Sequence, residues 1–437
     1  MTRLAPISIL SWLIAAPLAA QSPNCAIGTY RLGDGSIVDI ASIDDGQLRW
    51  RRTDGTTGVL SKPTPEGTWP SLLGWTGKPD GKVIRFDCVA HRITFDRLTG
   101  TRVELIRKDV RFQVDGAKLA GRLVMPQGTG KVPIVVLVHG AEHNSALESY
   151  ALQRQFPAAG VGVFVYDKRG TGASDGQYTQ NYLTLATDAI AAAGEARRLA
   201  GSRAGRVGYQ GGSQGGWVAP LAAKIAPADF VIVSFGLAVS PVAAERESIE
   251  NEVRAHVAGP EGAKAAAQFG DAIERVVGSG FVEGFDRLAA LREHYGQEPW
   301  FKQIGGEFAR FLLNTPSDVI REKGPMLITG APLHYDPMPV LRDLSTPQLW
   351  LLGGKDRDAA PGETSRRLSQ LSCSGRPIRL VVYPNAEHGM YEFETSPNGE
   401  RLSTREPESY FKLMRDFIIT GRISEREAPD ARVLSCR

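Results

Sequence analysis

Two serines in the sequence, Ser174 and Ser213, stand in a Gly-x-Ser-x-Gly pattern. In such a pattern the glycines permit a tight turn that can present the serine hydroxyl as a nucleophile. A strand-like segment, RVGYQ, runs directly into the Ser213 pattern, and a helix-like segment, WVAPLAAKIA, follows it. The polar segment QYTQNY follows the Ser174 pattern instead. The context therefore predicts Ser213 as the nucleophile and a turn-forming role for Ser174.

A serine hydroxyl needs a general base, and the base needs a carboxylate to orient it. The histidines that follow Ser213 are His256, His294, His334 and His388. The first three fall in a helix-rich interval, whereas His388 follows the strand-like segment RLVVYP, so we predict His388 as the base. The preceding strand-like segment, QLWLLGG, is followed by two candidates for the acid, Asp356 and Asp358.

Acyl transfer also requires N–H donors for the oxyanion of the tetrahedral intermediate. One donor is expected from the residue after the nucleophile, Gln214, and the other from the loop after the strand-like segment PIVVLVH. That loop reads His139-Gly140-Ala141-Glu142, and the Ala141 N–H is the natural choice. We expect His139 to bond the loop structurally, and Glu142 to be an ordinary polar loop residue.

The elements that must carry these residues begin at about residue 101. Apolar strand-like segments lie at 133–139, 161–167, 206–210, 230–236, 348–354 and 379–384, and helix-like segments separate most of them. This alternation predicts an α/β domain over 101–437 with a doubly wound, mostly parallel sheet. The interval of about 242–340 is helix-rich and too long for a simple crossover, which predicts a helical cap insertion.

The N-terminal part of the chain has a different character. Residues 1–20 have the charged, apolar and small-residue order of a signal peptide, which predicts export to the periplasm or the extracellular space, with no stable membrane span after cleavage. An uncleaved anchor is the alternative. Residues 24–100 alternate polar and apolar positions between turn signals, and predict a small all-β accessory domain without catalytic residues.

Four cysteines occur, and none stands in a Cys-x-x-Cys spacing, so we expect no metal site. Export permits disulfides. Because each pair falls within one predicted domain, we predict Cys25–Cys88 and Cys373–Cys436, with buried free thiols as the alternative.

Composition narrows the function classes. The chain has 437 residues, of which 42% are hydrophobic and 23% charged, as in ordinary globular proteins. Lys and Arg total 51 against 48 Asp and Glu, a formal net charge of +3. This small excess does not predict a nucleic-acid partner. The oligomeric state does not follow from the sequence.

Taken in chain order, several motifs resemble those of the α/β-hydrolase superfamily over about residues 110–420. They are His139-Gly140, Asp167-x-Arg169-Gly170-x-Gly172-x-Ser174, the turn at Ser213, Gly353-x-x-Asp356 and His388-Gly389. Within the superfamily the chain resembles bacterial serine esterases near the dienelactone-hydrolase and prolyl-oligopeptidase-like groups. The resemblance implies acyl transfer to water without a cofactor. Its Gly-x-x-Asp spacing selects Asp356 as the acid and leaves Asp358 as a solvated loop carboxylate or helix N-cap.

The sequence thus predicts an exported carboxylesterase that acts on a small-molecule or oligomeric ester. A serine aminopeptidase or oligopeptidase would use the same triad, with carboxylates in the cap, such as Glu245, Glu247 or Glu250, to hold a free amine. An acyl thioesterase and a non-catalytic binding protein are further alternatives. Apolar cap residues such as Phe281 and Phe308 are expected to shape the substrate pocket.

Overall fold

The computed structural model describes residues 23–43, 46–306, 308–434 and 436. The predicted signal peptide lies outside these residues. Two regions follow one another along the described chain. The first is a closed antiparallel barrel in which each strand pairs with the next in sequence and β1 pairs with β8. Its strands are β1 (Gly28–Leu32), β2 (Ile37–Ser42), β3 (Leu48–Arg52), β4 (Thr57–Leu60), β5 (Trp69–Leu73), β6 (Pro79–Asp87), β7 (Arg92–Phe95) and β8 (Leu98–Arg102).

The barrel encloses a small apolar core. Trp50 is 1% exposed and packs edge-on against Phe95, with Tyr30 and Ile40 buried beside them. These side chains come from the inward positions of strands that alternate inside and outside. The small all-β domain predicted from the sequence is therefore a barrel, whose last strand includes Arg102.

The second region is built on a nine-stranded sheet with the order β19-β16-β15-β14-β13-β11-β12-β10-β9. Strands β11 to β16 are parallel, and β9, β10 and β19 are antiparallel to their neighbours. The strands are β9 (Leu105–Val114), β10 (Ala117–Pro126), β11 (Val132–Val138), β12 (Gly162–Tyr166), β13 (Ala204–Gly212), β14 (Val231–Ser234), β15 (Gln348–Gly353), β16 (Ile378–Tyr383) and β19 (Arg432–Leu434). A separate hairpin consists of β17 (Glu392–Thr395) and β18 (Arg401–Arg405).

Helices cover both faces of this sheet. Ile134, Val136 and Val138 of β11 join one apolar cluster with the helices over residues 182–200 and 215–225. Val135 and Leu137 join another with the helices over residues 152–158 and 410–420. This period of two is what a strand buried on both faces requires. The helices of the layers are α1 (Ala146–Ser149), α2 (Leu152–Ala158), α3 (Tyr182–Ala200), α4 (Gly215–Ile225), α10 (Met338–Asp343), α11 (Pro361–Cys373) and α12 (Tyr410–Thr420).

Between β14 and β15 the chain forms a helical cap with an apolar cluster of its own. Phe269, Ile273 and Phe281 are buried in this cluster. Its helices are α5 (Pro241–His256), α6 (Gly259–Gly278), α7 (Phe285–Tyr295), α8 (Ala309–Asn314) and α9 (Ser317–Leu327).

The barrel contacts the sheet domain through an ion pair with a buried carboxylate and through a pair of aromatic rings. Arg154 of α2 makes two hydrogen bonds, of 2.6 and 2.7 Å, to the fully buried Asp39 carboxylate of β2. Near the hairpin, the rings of Trp75 and Tyr391 pack edge to face at 4.6 Å. The barrel thus contacts the segment that directly follows His388.

Two disulfides are present, Cys25–Cys88 and Cys373–Cys436, with Cα–Cα distances of 5.7 and 5.3 Å. The predicted pairing is confirmed. Across the part of the chain that the structure describes, no helix combines the length and the apolar character needed to cross a membrane.

Candidate active site

Ser213 lies in a sharp turn between strand β13 and helix α4. Its φ is 51°, a left-handed value that costs energy for a residue with a side chain. The Ser213 N–H donates to the Ser234 carbonyl at 3.1 Å, and its carbonyl accepts the Gly216 N–H at 2.8 Å. A Cβ atom on Gly211 would overlap the Gly215 backbone, so the strand and the helix can approach this closely only with glycine there. The turn lifts the Ser213 hydroxyl above the carboxyl edge of the sheet.

His388 and Asp356 lie at the same edge of the sheet, in the loops after β16 and β15, which are separated from β13 by β14. The His388 Nε2 lies 3.1 Å from the Ser213 Oγ. Its Nδ1 lies 3.0 and 3.2 Å from the two Asp356 oxygens. With the ring proton on Nδ1, the imidazole donates to the carboxylate and accepts the serine proton. The structure therefore brings the three side chains predicted from the sequence into one hydrogen-bonded chain.

Further contacts hold the side chains of Asp356 and His388 in place. The Asp356 side chain is 1% exposed, and its Oδ1 also accepts the N–H groups of Asp358 and Ala359 at 2.9 and 2.7 Å. The His388 and Phe235 rings pack edge to face, with their centroids 5.0 Å apart. A carboxylate bound in this way holds a negative charge with little freedom to turn, which suits it to orienting an imidazole.

Asp358 is neither the solvated loop carboxylate nor the helix N-cap that the sequence predicts, because it is half-buried and the N-cap residue of α11 is Ala360. Asp358 lines the same cavity as Ser213 and His388. Burial, and after it the Asp356 carboxylate, raise the pKa of Asp358 against the opposing effect of the His388 charge. The cap folds over this loop, and the local sequence carries no signal for that contact.

The two residues predicted to supply oxyanion donors also line this cavity. Gln214 is the N-cap residue of α4, and the first N–H groups of a helix have no partner one turn back. Ala141 lies in the loop after β11. Both residues thus line the same cavity as the Ser213 side chain, as an oxyanion hole would require.

The Ser174 loop has another structure. The Ser174 Oγ donates to the Asp167 carbonyl at 2.6 Å and accepts the Ala120 N–H at 2.9 Å. No helix begins until Tyr182. The Ser174 hydroxyl thus bonds the backbone of its own loop and of strand β10, in agreement with the turn-forming role that its sequence context predicts.

The cavity at Ser213 is small, about 50 Å³, and the cap forms much of its wall. Phe308, Ile328 and Leu333 of the cap line it, together with the Glu245 carboxylate of α5. Phe281, in contrast, is 2% exposed and packs within the cap core, where its ring and that of Phe308 are arranged edge to face with centroids 5.9 Å apart. Of the two phenylalanines predicted to shape the pocket, only Phe308 does so.

A second cavity of about 300 Å³ reaches Ser213 from the side of the barrel. Arg51 of β3, Tyr391 and Glu406 line it. Burial raises the pKa of Glu406 to about 7, although the Arg51 charge acts in the opposite direction. The barrel therefore contributes a residue to the walls around the nucleophile, which the sequence did not predict.

Sequence reasoning also missed a buried polar cluster beneath the Ala141 loop. The Nε2 of the buried His139 ring lies 2.9 Å from the Tyr166 carbonyl oxygen and 3.2 Å from the Lys168 backbone nitrogen, in line with its predicted structural role. Glu142 accepts a hydrogen bond from the Tyr150 hydroxyl, so it is more than an ordinary loop residue. The one signal for this cluster was a lysine placed directly after the apolar run VGVFVYD.

No set of three or more histidine, cysteine or carboxylate side chains suited to a metal ion occurs within residues 23–43, 46–306, 308–434 and 436.

A sequence model of the X-Pro dipeptidyl-peptidase (S15) family matches residues 115–274, which is less than half of the chain. The match includes Ser213 and both proposed oxyanion donors, and ends before Asp356 and His388. No curated protein sequence matches the chain significantly.

Several solved structures are similar at low identity. An esterase of Pyrococcus furiosus is 15% identical and covers 65% of this chain and 84% of its own, with a TM-score of 0.42. An acylaminoacyl peptidase of Pyrococcus horikoshii is 13% identical and covers 89% of this chain and 57% of its own, with a TM-score of 0.43. A fungal esterase of Rhizomucor miehei is 15% identical and covers 72% and 84%, with a TM-score of 0.43.

At such identities the fold is best judged from the strand order of the chain itself. The parallel sheet flanked by helices, its antiparallel strands β9 and β10, and the strand–turn–helix at Ser213 agree with the superfamily resemblance of the sequence. The main domain, residues 105–434, has an α/β-hydrolase-type fold with a helical segment inserted after β14.

Proposed function

We propose that this protein is an exported serine hydrolase that cleaves acyl bonds, with carboxylic esters as its first substrate class. The observation that carries the proposal is the unbroken hydrogen-bonded chain from Ser213 through His388 to Asp356. A serine that is poorly nucleophilic by itself gains a base and an orienting carboxylate in this arrangement.

The reaction follows from the positions of these atoms. The Ser213 Oγ attacks the acyl carbonyl while its proton passes to the His388 Nε2. The N–H groups of Ala141 and Gln214 stabilise the oxyanion, where one such donor is typically worth about 3 kcal/mol. The imidazolium then protonates the departing alcohol, and the acyl group remains on Ser213. A water molecule then attacks the acyl group on Ser213 in the same way and releases the carboxylic acid, so the reaction requires no cofactor.

Export is part of the proposal. It rests on the signal-like order of residues 1–20 and on the two disulfides, since disulfides form and persist in oxidising compartments. We propose the periplasm or the extracellular space as its location. The substrate is a small-molecule or oligomeric ester.

A second candidate function is the cleavage of peptides that carry a free amine. It is favoured by hydrogen-bond acceptors in the cavity of about 50 Å³ at Ser213, whose wall the cap helps to form. The carboxylates of Glu245 and Asp358 line it. Among the residues that the structure describes, none donates a hydrogen bond to the buried Oε1 of Gln214, although its Nε2 donates to Gln180. These three oxygen acceptors, near the proposed nucleophile, could bind the ammonium group of a peptide's free N-terminus. The family model that matches residues 115–274 describes a peptidase.

A substrate matrix separates the two candidates. It pairs the nitrophenyl ester and the nitroanilide of one amino acid, each with a free and with an N-acetylated amine, and adds nitrophenyl acetate and butyrate. For an esterase we expect kcat/KM to be highest on esters and insensitive to acetylation. A peptidase of the second kind would require the free amine, and Glu245→Gln would raise KM only for free-amine substrates.

Labelling by a fluorophosphonate supplies the matched control, because it requires an activated serine but no particular substrate. The wild-type protein should be labelled and Ser213→Ala should not. A wild-type protein that takes no label and turns over none of the substrates would contradict the proposed function.

A further inference from the structure

The loop between β12 and α3, residues 167–181, takes no part in the reaction proposed above, yet two of its side chains reach the Ala141 loop. The Lys168 Nζ donates to the Gly140 carbonyl at 2.9 Å. The Tyr178 hydroxyl donates to the Ala141 carbonyl at 2.5 Å. Lys168 is only 1% exposed, and burying an ammonium is costly unless it gains a specific contact. The position of Lys168 therefore calls for a functional reason.

The contact acts on one particular peptide group. The Gly140 carbonyl and the Ala141 N–H belong to the same planar trans peptide, so they point in opposite directions. A donor that fixes the direction of the carbonyl also fixes the direction of the N–H. A positive charge on the carbonyl side also polarises the peptide and strengthens the N–H as a donor.

We propose that Lys168 is a positioning residue for the oxyanion hole, which holds the Gly140–Ala141 peptide so that the Ala141 N–H faces the developing oxyanion. The inference rests on the proposed function, because an oxyanion must form for the position to matter. Tyr178 assists by holding the next carbonyl. Its ring lies 4.5 Å from the Lys168 ammonium and stabilises the charge.

The loop that carries Lys168 is itself held firmly. The Asp167 carboxylate accepts the Ser145 hydroxyl at 2.8 Å and the N–H groups of Leu147 and Ala173 at 3.1 and 2.8 Å. Ser174 closes the loop through its contact with the Asp167 carbonyl. A lysine on a fixed backbone can place a peptide accurately, which a lysine on a mobile loop cannot. This gives the second Gly-x-Ser-x-Gly pattern a role in the site without making its serine a nucleophile.

The test compares Lys168→Met with Lys118→Met, which removes an exposed lysine from the neighbouring strand β10. We measure kcat per fluorophosphonate-titrated site, KM for one nitrophenyl ester, and the affinity for a boronic acid, whose tetrahedral adduct places an oxygen in the oxyanion hole. Deleting one oxyanion donor typically costs about 10²–10³ in kcat, and misdirecting it should cost less.

For Lys168→Met we expect kcat per site to fall by about 10–100-fold, KM to change by less than about threefold, and boronate affinity to fall in parallel with kcat. The Lys118 variant should match the wild type in all three. A merely structural role would lower the number of titratable sites and leave kcat per site unchanged. Wild-type kcat per site and wild-type boronate affinity in Lys168→Met would overturn the proposal.

A pH profile of the wild-type protein provides a test that needs no folded variant. Burial lowers the pKa of Lys168 to about 8, with the Glu142 carboxylate acting in the opposite direction. The His139 ring and the Tyr178 ring also face this region. The positive charge is therefore lost as the pH rises through about 8, and kcat per site should fall several-fold between pH 7 and pH 9.5.

A kcat that stays flat over that range would contradict the role of the charge, whether or not Lys168→Met folds. Where the variant folds, its profile should lack the decline. Ser213→Ala keeps the two proposals apart: if that variant hydrolyses the ester, the proposed function fails, whatever the lysine does.

Discussion

The loops at Ser213 and Ser174 share one sequence pattern and differ in how their serines are held. Ser213 has a strained φ of 51°, a helix that begins directly after it, and a hydroxyl 3.1 Å from an imidazole. The Ser174 hydroxyl donates a hydrogen bond to the Asp167 carbonyl and accepts one from the Ala120 N–H. The difference shows that the pattern supplies a turn, while the strand and helix around the turn decide what the serine can do.

The largest expected effect tests that contrast directly. Ser213→Ala should lower kcat on an ester by about 10⁵-fold or more, because the nucleophile is gone. Ser174→Ala should keep most of the activity, since its hydroxyl bonds backbone groups of Asp167 and Ala120 and not the reacting atoms. Both rates are measured on purified protein whose folding is confirmed by circular dichroism. An inactive Ser174 variant beside an active Ser213 variant would reverse the assignment.

A second pair, Asp356 and Asp358, extends the contrast to the acid. Asp356→Asn should lower kcat by about 10³–10⁴, since an amide no longer stabilises the imidazolium or its tautomer. Asp358→Asn should cost less than about tenfold on a neutral ester, because Asp358 lines the cavity without bonding the imidazole. On a free-amine substrate the second variant should raise KM. A severe loss of kcat in Asp358→Asn on neutral esters would refute the assignment of the acid.

The third pair lies in the cap. Phe308→Ala should change the relative kcat/KM among acyl chain lengths by several-fold, because Phe308 lines the cavity. Phe281→Ala should leave that ranking unchanged and instead lower the free energy of unfolding by about 3–5 kcal/mol, the usual cost of emptying a buried aromatic site. Rates on a nitrophenyl ester series, together with thermal unfolding, measure both. If both variants changed the ranking of kcat/KM among the esters equally, Phe308 and Phe281 would not differ in their roles as cavity-lining and core residues.

The smallest effect concerns the stability of the Ser174 loop. Ser174→Ala leaves the Ala120 N–H and the Asp167 carbonyl without this partner, which should cost about 1–3 kcal/mol. A loss of 1 kcal/mol lowers the Tm of a domain of this kind by about 2–4 °C. Differential scanning calorimetry measures the change. An unaltered Tm would show that water replaces the hydroxyl without loss.

The sequence predicted the parts of the site that depend on local context. The turn at Ser213 could be predicted because the strand before it and the helix after it are contiguous in the chain. His388 and the Asp356 loop could be predicted because the carboxyl ends of parallel strands meet at one edge of a sheet. The disulfide pairing followed from the domain division, and the structure confirms it.

The rest depends on contacts between distant segments. Asp358 is half-buried because cap residues line the same cavity, and Phe281 is a core residue because the cap has an apolar cluster of its own. Arg51 reaches the cavity at Ser213 because the barrel is docked beside the hairpin after His388. No local periodicity encodes these approaches, so composition and spacing gave residue types without their surroundings.

The docking of the barrel has a consequence for the order in which the molecule matures. Each barrel strand pairs with the next strand in the sequence, and the pairing of β1 with β8 closes the barrel. The contact between Lys78 of the barrel and Glu394 of the hairpin, in contrast, joins residues that are 316 positions apart. Contacts between near neighbours form early because their loops are short, and distant ones must wait. During refolding, Trp50 should therefore become buried before the His388 loop settles, and catalytic competence should emerge last. The barrel is then already folded when the segment around His388 packs against it.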